Sequence, residues 1–116
     1  MMSCLRVYFQ AMNNIYNIKW LETAEEDIIE IKKYIDNEFK SPQISINILN
    51  NIYLKSNILK IFPYFYPKLN ANRIKFKNLR KFCVSNYLVF YKVNQSKNLI
   101  LIYRIIYSRR NYSKLL

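Results

Sequence analysis

The last third of the chain has the clearest pattern of apolar positions. Three runs rich in β-branched and aromatic residues lie in residues 79–107, separated by polar breaks at residues 85–86 and 94–98. Such runs, bounded by Asn and Ser, are typical of antiparallel strands joined by hairpins. The third run, residues 99–107, has hardly a polar side chain before Arg104. This composition predicts a strand inside the sheet that is covered on both faces.

The first part of the chain predicts a strand and a helix. Residues 15–20 alternate apolar and polar side chains, which indicates a strand at a sheet edge. Thr23 and Glu26 have the spacing of a capping box, so a helix is expected over residues 24–38. Its apolar stripe follows helical spacing. The stripe consists of Ala24, Ile28, Ile31, Ile35 and Phe39.

A second helix is predicted to follow after a short break at residues 40–41. Ser41 is a good N-cap, Pro42 suits the first helical position, and Pro63 ends the pattern. The expected apolar stripe is Ile44, Ile48, Ile52, Leu59 and Phe62. Because the break is short, the two helices should form an antiparallel hairpin.

The order of these elements predicts the fold class. A strand, two helices and then three strands indicate an α+β domain in which the helical hairpin packs on one face of a mainly antiparallel sheet. The chain has 116 residues, enough for one domain. We expect that domain over residues 15–116, with residues 1–14 as an N-terminal extension and Met12 as an alternative start.

Charge is distributed unevenly along the chain. There are 19 basic and 7 acidic residues, giving a formal net charge of +12, and every acid lies between Glu22 and Glu38. A surface this one-sided attracts polyanions or an acidic protein. A coding sequence rich in A and T would also add lysines, but it does not explain the missing acids. The acids cluster in the first turns of a helix, where its dipole favours them, so we expect them to be solvated.

Several kinds of chemistry are excluded by composition. The chain has no Gly, which excludes glycine-rich phosphate loops, and no His, which removes the usual general base and zinc ligand. Cys4 and Cys83 are too few for a disulfide framework and lack a zinc spacing, so a reducing, cytoplasmic location and no metal or cofactor are expected. No apolar run approaches the ~20 residues of a membrane span, so no membrane partner is expected.

Arginine and tyrosine remain as candidate functional residues. Guanidinium groups can hold a phosphate by two hydrogen bonds, and a phenol can stack on a base or give up a proton. The candidates are Arg80, Arg104, Arg109, Arg110 and Tyr112. The alternative for Arg80 and Arg110 is a salt bridge or a partner contact. The alternative for the other tyrosines of the sheet half is ordinary packing; they are Tyr64, Tyr66, Tyr87, Tyr91, Tyr103 and Tyr107.

Several segments, taken together, resemble one protein family. They are WLETAEEDIIEIKKYI, Phe62 with Pro63, Leu79 with Arg80, SNYLVFYKV at residues 85–93, and the ending RIIYSRRNYSKLL. In this order they resemble the RelE/ParE superfamily of toxins from type II toxin–antitoxin modules. The resemblance covers residues 16–116. It implies a curved sheet and a small basic toxin that is neutralised by a cognate antitoxin, whose C-terminal segment wraps around it.

The resemblance leaves two activities open. ParE-like members inhibit DNA gyrase, whereas RelE-like members enter the ribosome and cleave mRNA. The ending is more similar to the ParE branch, with Arg110 and Asn111 closing the last strand ahead of Leu115 and Leu116. We therefore favour gyrase inhibition. The residues expected to contact a partner or target are Arg73, Lys75, Lys77, Arg80, Tyr107 and Arg110.

On the RelE-like alternative the same ending would be catalytic. Arg80 would hold the phosphate, Arg109 or Arg110 would stabilise the transition state, and Tyr112 would transfer a proton. Tyr107 stands where many relatives carry His, which excludes a histidine-dependent mechanism. A third interpretation is an inactive relative that only pairs with an antitoxin. Either a homodimer or a toxin–antitoxin hetero-oligomer is compatible with the resemblance.

The turn before Tyr87 lacks the glycine that is usual in the family. Because asparagine tolerates the left-handed conformation, we expect Asn86 to provide it.

Overall fold

A computed structural model of the chain describes residues 15–69 and 77–116. Within these residues the chain forms, in order, β1 (Asn17–Trp20), α1 (Glu22–Phe39), α2 (Pro42–Ile58), β2 (Arg80–Val84), β3 (Tyr87–Asn94), β4 (Leu99–Tyr107) and the short α3 (Tyr112–Leu115). The predicted α+β class and element order are confirmed. No helix in the described residues is both long and apolar enough to cross a membrane.

The four strands form one sheet in the order β1-β4-β3-β2. The pairs β2–β3 and β3–β4 are antiparallel, whereas β1 runs parallel to β4, with Asn17 opposite Leu99 and Trp20 opposite Ile102. The first strand is therefore at an edge and the last strand is inside the sheet, as predicted. Since β1 ends at Trp20, the second half of β4 has no strand beside it on that edge.

The two faces of the sheet carry separate apolar clusters. On one face, α1 and α2 pack against the sheet through residues such as Ala24, Ile35 and Ile52. On the other face, Leu88, Phe90 and Ile106 pack with the C-terminal segment. This second cluster includes Tyr112, Leu115 and Leu116. Both faces of β4 are therefore covered, as its apolar sequence predicted.

The start of α1 differs from the prediction. The helix begins at Glu22, its N-cap is Leu21, and no side chain caps it. The predicted capping box is wrong because the Thr23 hydroxyl is used elsewhere: Oγ1 donates a hydrogen bond to the Tyr103 carbonyl at 2.8 Å. Thr23 therefore makes a hydrogen bond to the sheet instead of capping its own helix.

The second helix starts at the predicted position, with Ser41 as N-cap and Pro42 first, although the Ser41 side chain makes no capping hydrogen bond. It ends at Ile58, four residues earlier than expected. The next three amides bond to carbonyls three residues back, as in Leu59 N to Ser56 O at 3.0 Å. This tighter 3₁₀ geometry is common at the end of a helix, here ahead of Pro63.

The buried face of α2 is partly polar. Ser45 and Ser56 are fully buried, whereas Ile44 and Phe62 of the predicted stripe are exposed. Each serine hydroxyl has a partner: Ser56 donates to the Ile52 carbonyl at 2.7 Å and Ser45 to Asp36 of α1 at 2.6 Å. The hydrogen bonds from Lys32 and Ser45 lower the pKa of Asp36. Hydrogen bonding therefore lets small hydroxyls lie on the buried face beside Ile52 and Leu59, at positions that the predicted stripe did not include.

The turn between β2 and β3 uses a different residue from the one predicted. Ser85 has a φ of 52°, whereas Asn86 is not among the residues with positive φ. A two-residue hairpin in which only the first central residue has positive φ corresponds to a type II′ turn. The expectation for Asn86 is wrong because the turn type places the strained position one residue earlier.

Tyr91 predicts how stability depends on alkaline pH. The side chain is fully buried and its hydroxyl donates to the Pro63 carbonyl at 3.2 Å. Burial raises the pKa of Tyr91 from 10.0 to about 12. Because the neutral phenol is favoured in the fold, its contribution to stability is complete below pH 10 and is lost as the pH rises to 12.

We therefore expect Tyr91→Phe to reduce the loss of stability between these pH values, while lowering stability at neutral pH by about 1 kcal/mol through the lost hydrogen bond. The measurement is the free energy of unfolding in urea on both sides of pH 10. Tyr53→Phe, at a tyrosine that is 55% exposed, is the control. Equal alkaline profiles for the two variants would contradict the prediction.

Candidate functional site

A groove of about 620 Å³ lies at the end of the sheet where β2 turns into β3. One wall is the C-terminal half of α1, the second is the start of α2, and the third is formed by the Ser85–Asn86 turn and the end of β4. Several of the lining side chains are exposed, so the groove is open to solvent.

The walls of the groove are largely apolar and aromatic. Tyr34 is 62% exposed, Phe39 is 59% exposed, and Ile44 and Tyr107 are each 37% exposed. Tyr87 and Tyr107 pack edge to face with ring centroids 5.8 Å apart. Burial, together with the neighbouring Tyr34 and Tyr107, raises the pKa of Tyr87, so its phenol stays protonated. Contiguous exposed apolar surface of this kind is a feature of interaction sites.

A partly buried ion pair lines the groove. The Arg104 guanidinium donates two hydrogen bonds to the Asp27 carboxylate, from Nε to Oδ2 at 2.7 Å and from Nη2 to Oδ1 at 3.1 Å. Its Nη1 donates to the Leu115 carbonyl at 2.7 Å. The hydrogen bond to Asp27 raises the pKa of Arg104, so the guanidinium remains charged. Arg104 therefore connects β4, α1 and the C-terminal segment.

Asp27 lies beside the part of β4 that the short first strand leaves unpaired. Beyond Ile102, β4 has no strand neighbour, and α1 crosses this edge instead. Thr23 and Asp27 are four residues apart, so they share one helix face. The Thr23 hydroxyl donates a hydrogen bond to the Tyr103 carbonyl, and Asp27 Oδ2 accepts one from the Ile105 amide at 2.9 Å. The two side chains take over the edge hydrogen bonds that a longer β1 would have made.

The expectation that all acids of α1 are solvated is wrong for Asp27, which is buried. The sequence did contain a signal. Arg104 is a lone cation in an apolar strand, and a buried cation needs a carboxylate partner. Asp27 lies three residues after Ala24 and four before Ile31, on the apolar stripe of α1.

Arg109 and Arg110 are both exposed in the turn after β4. Arg110 lines the groove on the side opposite α1. Its backbone amide donates a hydrogen bond to the Tyr107 carbonyl at 3.0 Å. The structure thus brings together two of the predicted partner contacts, Tyr107 and Arg110. Across the groove, α1 contributes the exposed carboxylates Glu30 and Glu38.

Tyr112 lies on the other face of the sheet. Its ring packs against Phe90 with centroids 5.2 Å apart, and the Lys81 ammonium lies 5.1 Å from its centre. The residue is half-buried and belongs to the cluster that anchors α3.

Arg80 lies away from the groove. Its Nη1 donates to the Tyr66 carbonyl at 2.6 Å, and its guanidinium lies 5.0 Å from the centre of the Tyr64 ring. Arg80 pairs with Tyr91, four residues along β3 from the end of the hairpin, which is about 13 Å at ~3.3 Å per residue. The structure therefore does not bring Arg80 together with Arg109 and Arg110. Lys77 is exposed in the segment before β2, and Arg73 and Lys75 lie outside the described residues.

None of the residues described in the structure form a group of three or more His, Cys, Asp or Glu side chains that could hold a metal ion. The groups available in the groove are therefore aromatic rings, aliphatic side chains and a few exposed charges. This arrangement is suited to binding a segment of another protein.

Comparison with known families identifies the chain. The family model described as the ParE toxin of the type II toxin–antitoxin system parDE matches residues 18–112. The chain belongs to this family. It is thus a toxin of the RelE/ParE superfamily, and the predicted resemblance is confirmed. No curated protein matches the sequence significantly.

Solved structures with the fold of this toxin include two toxin–antitoxin systems. The chromosomal ParDE system from P. aeruginosa has a chain with a TM-score of 0.65 and 14% identity, over 81% of this toxin and 97% of that chain. The RelBE2 toxin–antitoxin complex from Mycobacterium tuberculosis has a chain with a TM-score of 0.56 and 15% identity, over 80% of this toxin and 98% of that chain. At such identities the similarity establishes the shared fold.

Proposed function

We propose that the toxin arrests growth by binding DNA gyrase in the cytoplasm and does not itself cut RNA. The observation that carries this proposal is the separation of its cations. Cleavage of RNA without a metal ion needs cations and a proton-transfer group around one phosphate. Here Arg80 is at one end of the sheet, Arg110 is at the other, and the Tyr112 ring is packed against Phe90.

We further propose that the groove receives the C-terminal segment of the antitoxin as an amphipathic helix, forming a toxin–antitoxin hetero-oligomer. Helices recognised in grooves present apolar side chains to an apolar floor. The exposed Tyr34, Phe39 and Ile44 provide such a surface. The charges on the walls would fix the orientation of the antitoxin helix. Glu30 and Glu38 favour basic residues on one side of that helix, and Arg110 favours an acidic residue on the other.

The two proposals are connected by Tyr107 and Arg110. Both lie on the groove wall and were expected to contact the target. An antitoxin helix in the groove would cover them, so neutralisation would follow from simple occlusion.

One experiment tests the proposed target. The chain is expressed from an inducible promoter, and DNA breaks, replication and mRNA integrity are followed; the purified toxin is then added to gyrase in a supercoiling assay. We expect DNA synthesis to stop and supercoiling to be inhibited, with mRNA intact. Cleavage of mRNA within translated codons would instead support the RelE-like activity. Normal growth would indicate an inactive relative.

Arg110→Ala is expected to weaken toxicity without unfolding the protein. The side chain is exposed, so the free energy of unfolding should change by less than about 0.5 kcal/mol. Loss of one charged contact should weaken target binding by about tenfold, equivalent to ~1.4 kcal/mol. Colony counts after induction and urea denaturation measure the two effects. Lys33→Ala, at an exposed lysine of α1, is the control. If Arg110→Ala unfolds the protein, the residue is structural.

A further inference from the structure

An aromatic surface with basic residues lies at the end of the sheet opposite the groove. Its rings come from the connector after α2, where Phe62 is 50% exposed, Tyr64 is 49% exposed and Phe65 is 66% exposed. Three large rings exposed within four residues are unusual for a surface that contacts only water. We call this surface, with the cations beside it, the aromatic–basic end; its residues are Phe62, Tyr64, Phe65, Lys68, Arg80 and Lys97.

The exposed rings stand on a fixed base. Between them, Pro63 is buried and its carbonyl accepts the Tyr91 hydroxyl, while the Tyr66 carbonyl accepts Arg80 Nη1 at 2.6 Å. The Tyr66 ring stacks on Phe82 with centroids 4.9 Å apart, and Phe65 meets Tyr66 edge to face at the same distance. The connector is therefore held in place by the sheet, and its outward rings are preorganised for a ligand.

One cation lies over these rings, and two more come from neighbouring segments. The Arg80 guanidinium lies over Tyr64, and Lys68 is opposite Arg80 in a backbone bridge. Lys97 is exposed in the β3–β4 turn, two residues after Gln95, whose side-chain oxygen is 3.5 Å from the Tyr64 hydroxyl. No carboxylate belongs to this surface, since all seven acids of the chain lie in α1.

We propose that the aromatic–basic end binds single-stranded nucleic acid. Stacking platforms flanked by cations are the recognised solution for unpaired bases on a phosphate backbone, because every base has a π face and every phosphate a charge. Paired bases in a duplex could not reach the rings, and an acidic peptide would use the cations but not the stacking surface. The site is separate from the antitoxin groove and goes beyond the proposed inhibition of gyrase.

The arrangement predicts the strength and salt dependence of binding. Each base stacked on an aromatic ring is worth about 1–3 kcal/mol. Contacts from Arg80, Lys68 and Lys97 to three phosphates would make log K fall with log salt at a slope of about −2. Because the groove lies at the opposite end of the sheet, filling it with antitoxin should leave this binding intact.

The test is fluorescence anisotropy with the full-length toxin and labelled oligothymidylate over a range of salt. We expect Phe65→Ala to weaken binding by about tenfold, as the loss of one stacked base implies. Lys97→Ala should reduce the salt slope by about 0.7. The matched controls are Tyr53→Ala, at an exposed ring of α2, and Lys33→Ala, at an exposed cation of α1. Both should bind like the unchanged toxin, and urea midpoints should show that all four variants are folded.

Three results would overturn the proposal. The first is no binding at low salt, and the second is equal weakening by the Phe65→Ala and Tyr53→Ala variants. The third is duplex DNA or polyglutamate binding as tightly as the single strand, which would show recognition of charge alone. The gyrase assay is run in parallel with Phe65→Ala. If this variant has lost oligonucleotide binding but still inhibits gyrase normally, nucleic-acid binding and gyrase inhibition are independent functions.

Discussion

Asp27→Ala is expected to lower the free energy of unfolding of the toxin by about 3 kcal/mol, because it leaves a partly buried guanidinium without its carboxylate. The carboxylate accepts two hydrogen bonds from Arg104 and one from the Ile105 amide. All three donors would lose their partner in the variant. A loss of this size is a large part of the stability of a small domain, which is about 5–15 kcal/mol in total. Urea denaturation at neutral pH measures it.

The control for Asp27 is Glu30→Ala, which removes an exposed carboxylate from the same helix and should cost less than about 0.5 kcal/mol. A second variant isolates the ion pair. Replacing Asp27 with alanine and Arg104 with methionine together should recover part of the stability, since no unpaired charge remains. Equal losses for Asp27→Ala and Glu30→Ala would show that the pair contributes nothing.

Ile44→Asp is expected to weaken antitoxin binding by at least about 30-fold, equivalent to ~2 kcal/mol, as for a central contact of an interface. The residue lines the groove and is 37% exposed, so a carboxylate there would face an apolar helix without a partner. The fold should tolerate the change, because Ile44 is in the first turn of α2, where the helix dipole favours an acid. Calorimetric titration with the cognate antitoxin measures the affinity.

Ile46→Asp is the matched control for Ile44→Asp. Ile46 is on the same helix, is 41% exposed and lies outside the groove. Its substitution should leave antitoxin affinity unchanged, and co-expressed antitoxin should rescue growth from this variant but not from Ile44→Asp. If both variants lose affinity equally, the antitoxin does not use the groove.

The elements of the fold could be predicted because each depends on local pattern. The strands of residues 79–107 follow from β-branched and aromatic runs, and Pro42 and Pro63 bracket the second helix. The register of α2 could not be predicted. Buried Ser45 and Ser56 depend on hydrogen bonds that a hydropathy pattern does not contain.

The candidate site was less predictable because it depends on distant contacts. Asp27 and Arg104 are separated by 77 positions, and they meet at the part of β4 that the short β1 leaves unpaired. The arginines illustrate the same point. Arg80 begins β2, whereas Arg110 follows the end of β4. Because β2 and β4 are both antiparallel to β3, they run in the same direction, so the two arginines lie at opposite ends of the sheet.

The parallel pairing of the first and last strands has a consequence for synthesis. Asn17 is among the first residues of the domain to leave the ribosome, whereas its neighbour Leu99 is among the last. The helical hairpin can form early, but the sheet that covers its apolar face lacks its central strand until β4 emerges. A nascent toxin therefore stays incomplete through nearly all of its translation. Ribosomes that stop before β4 release chains in which the first strand has nothing to pair with.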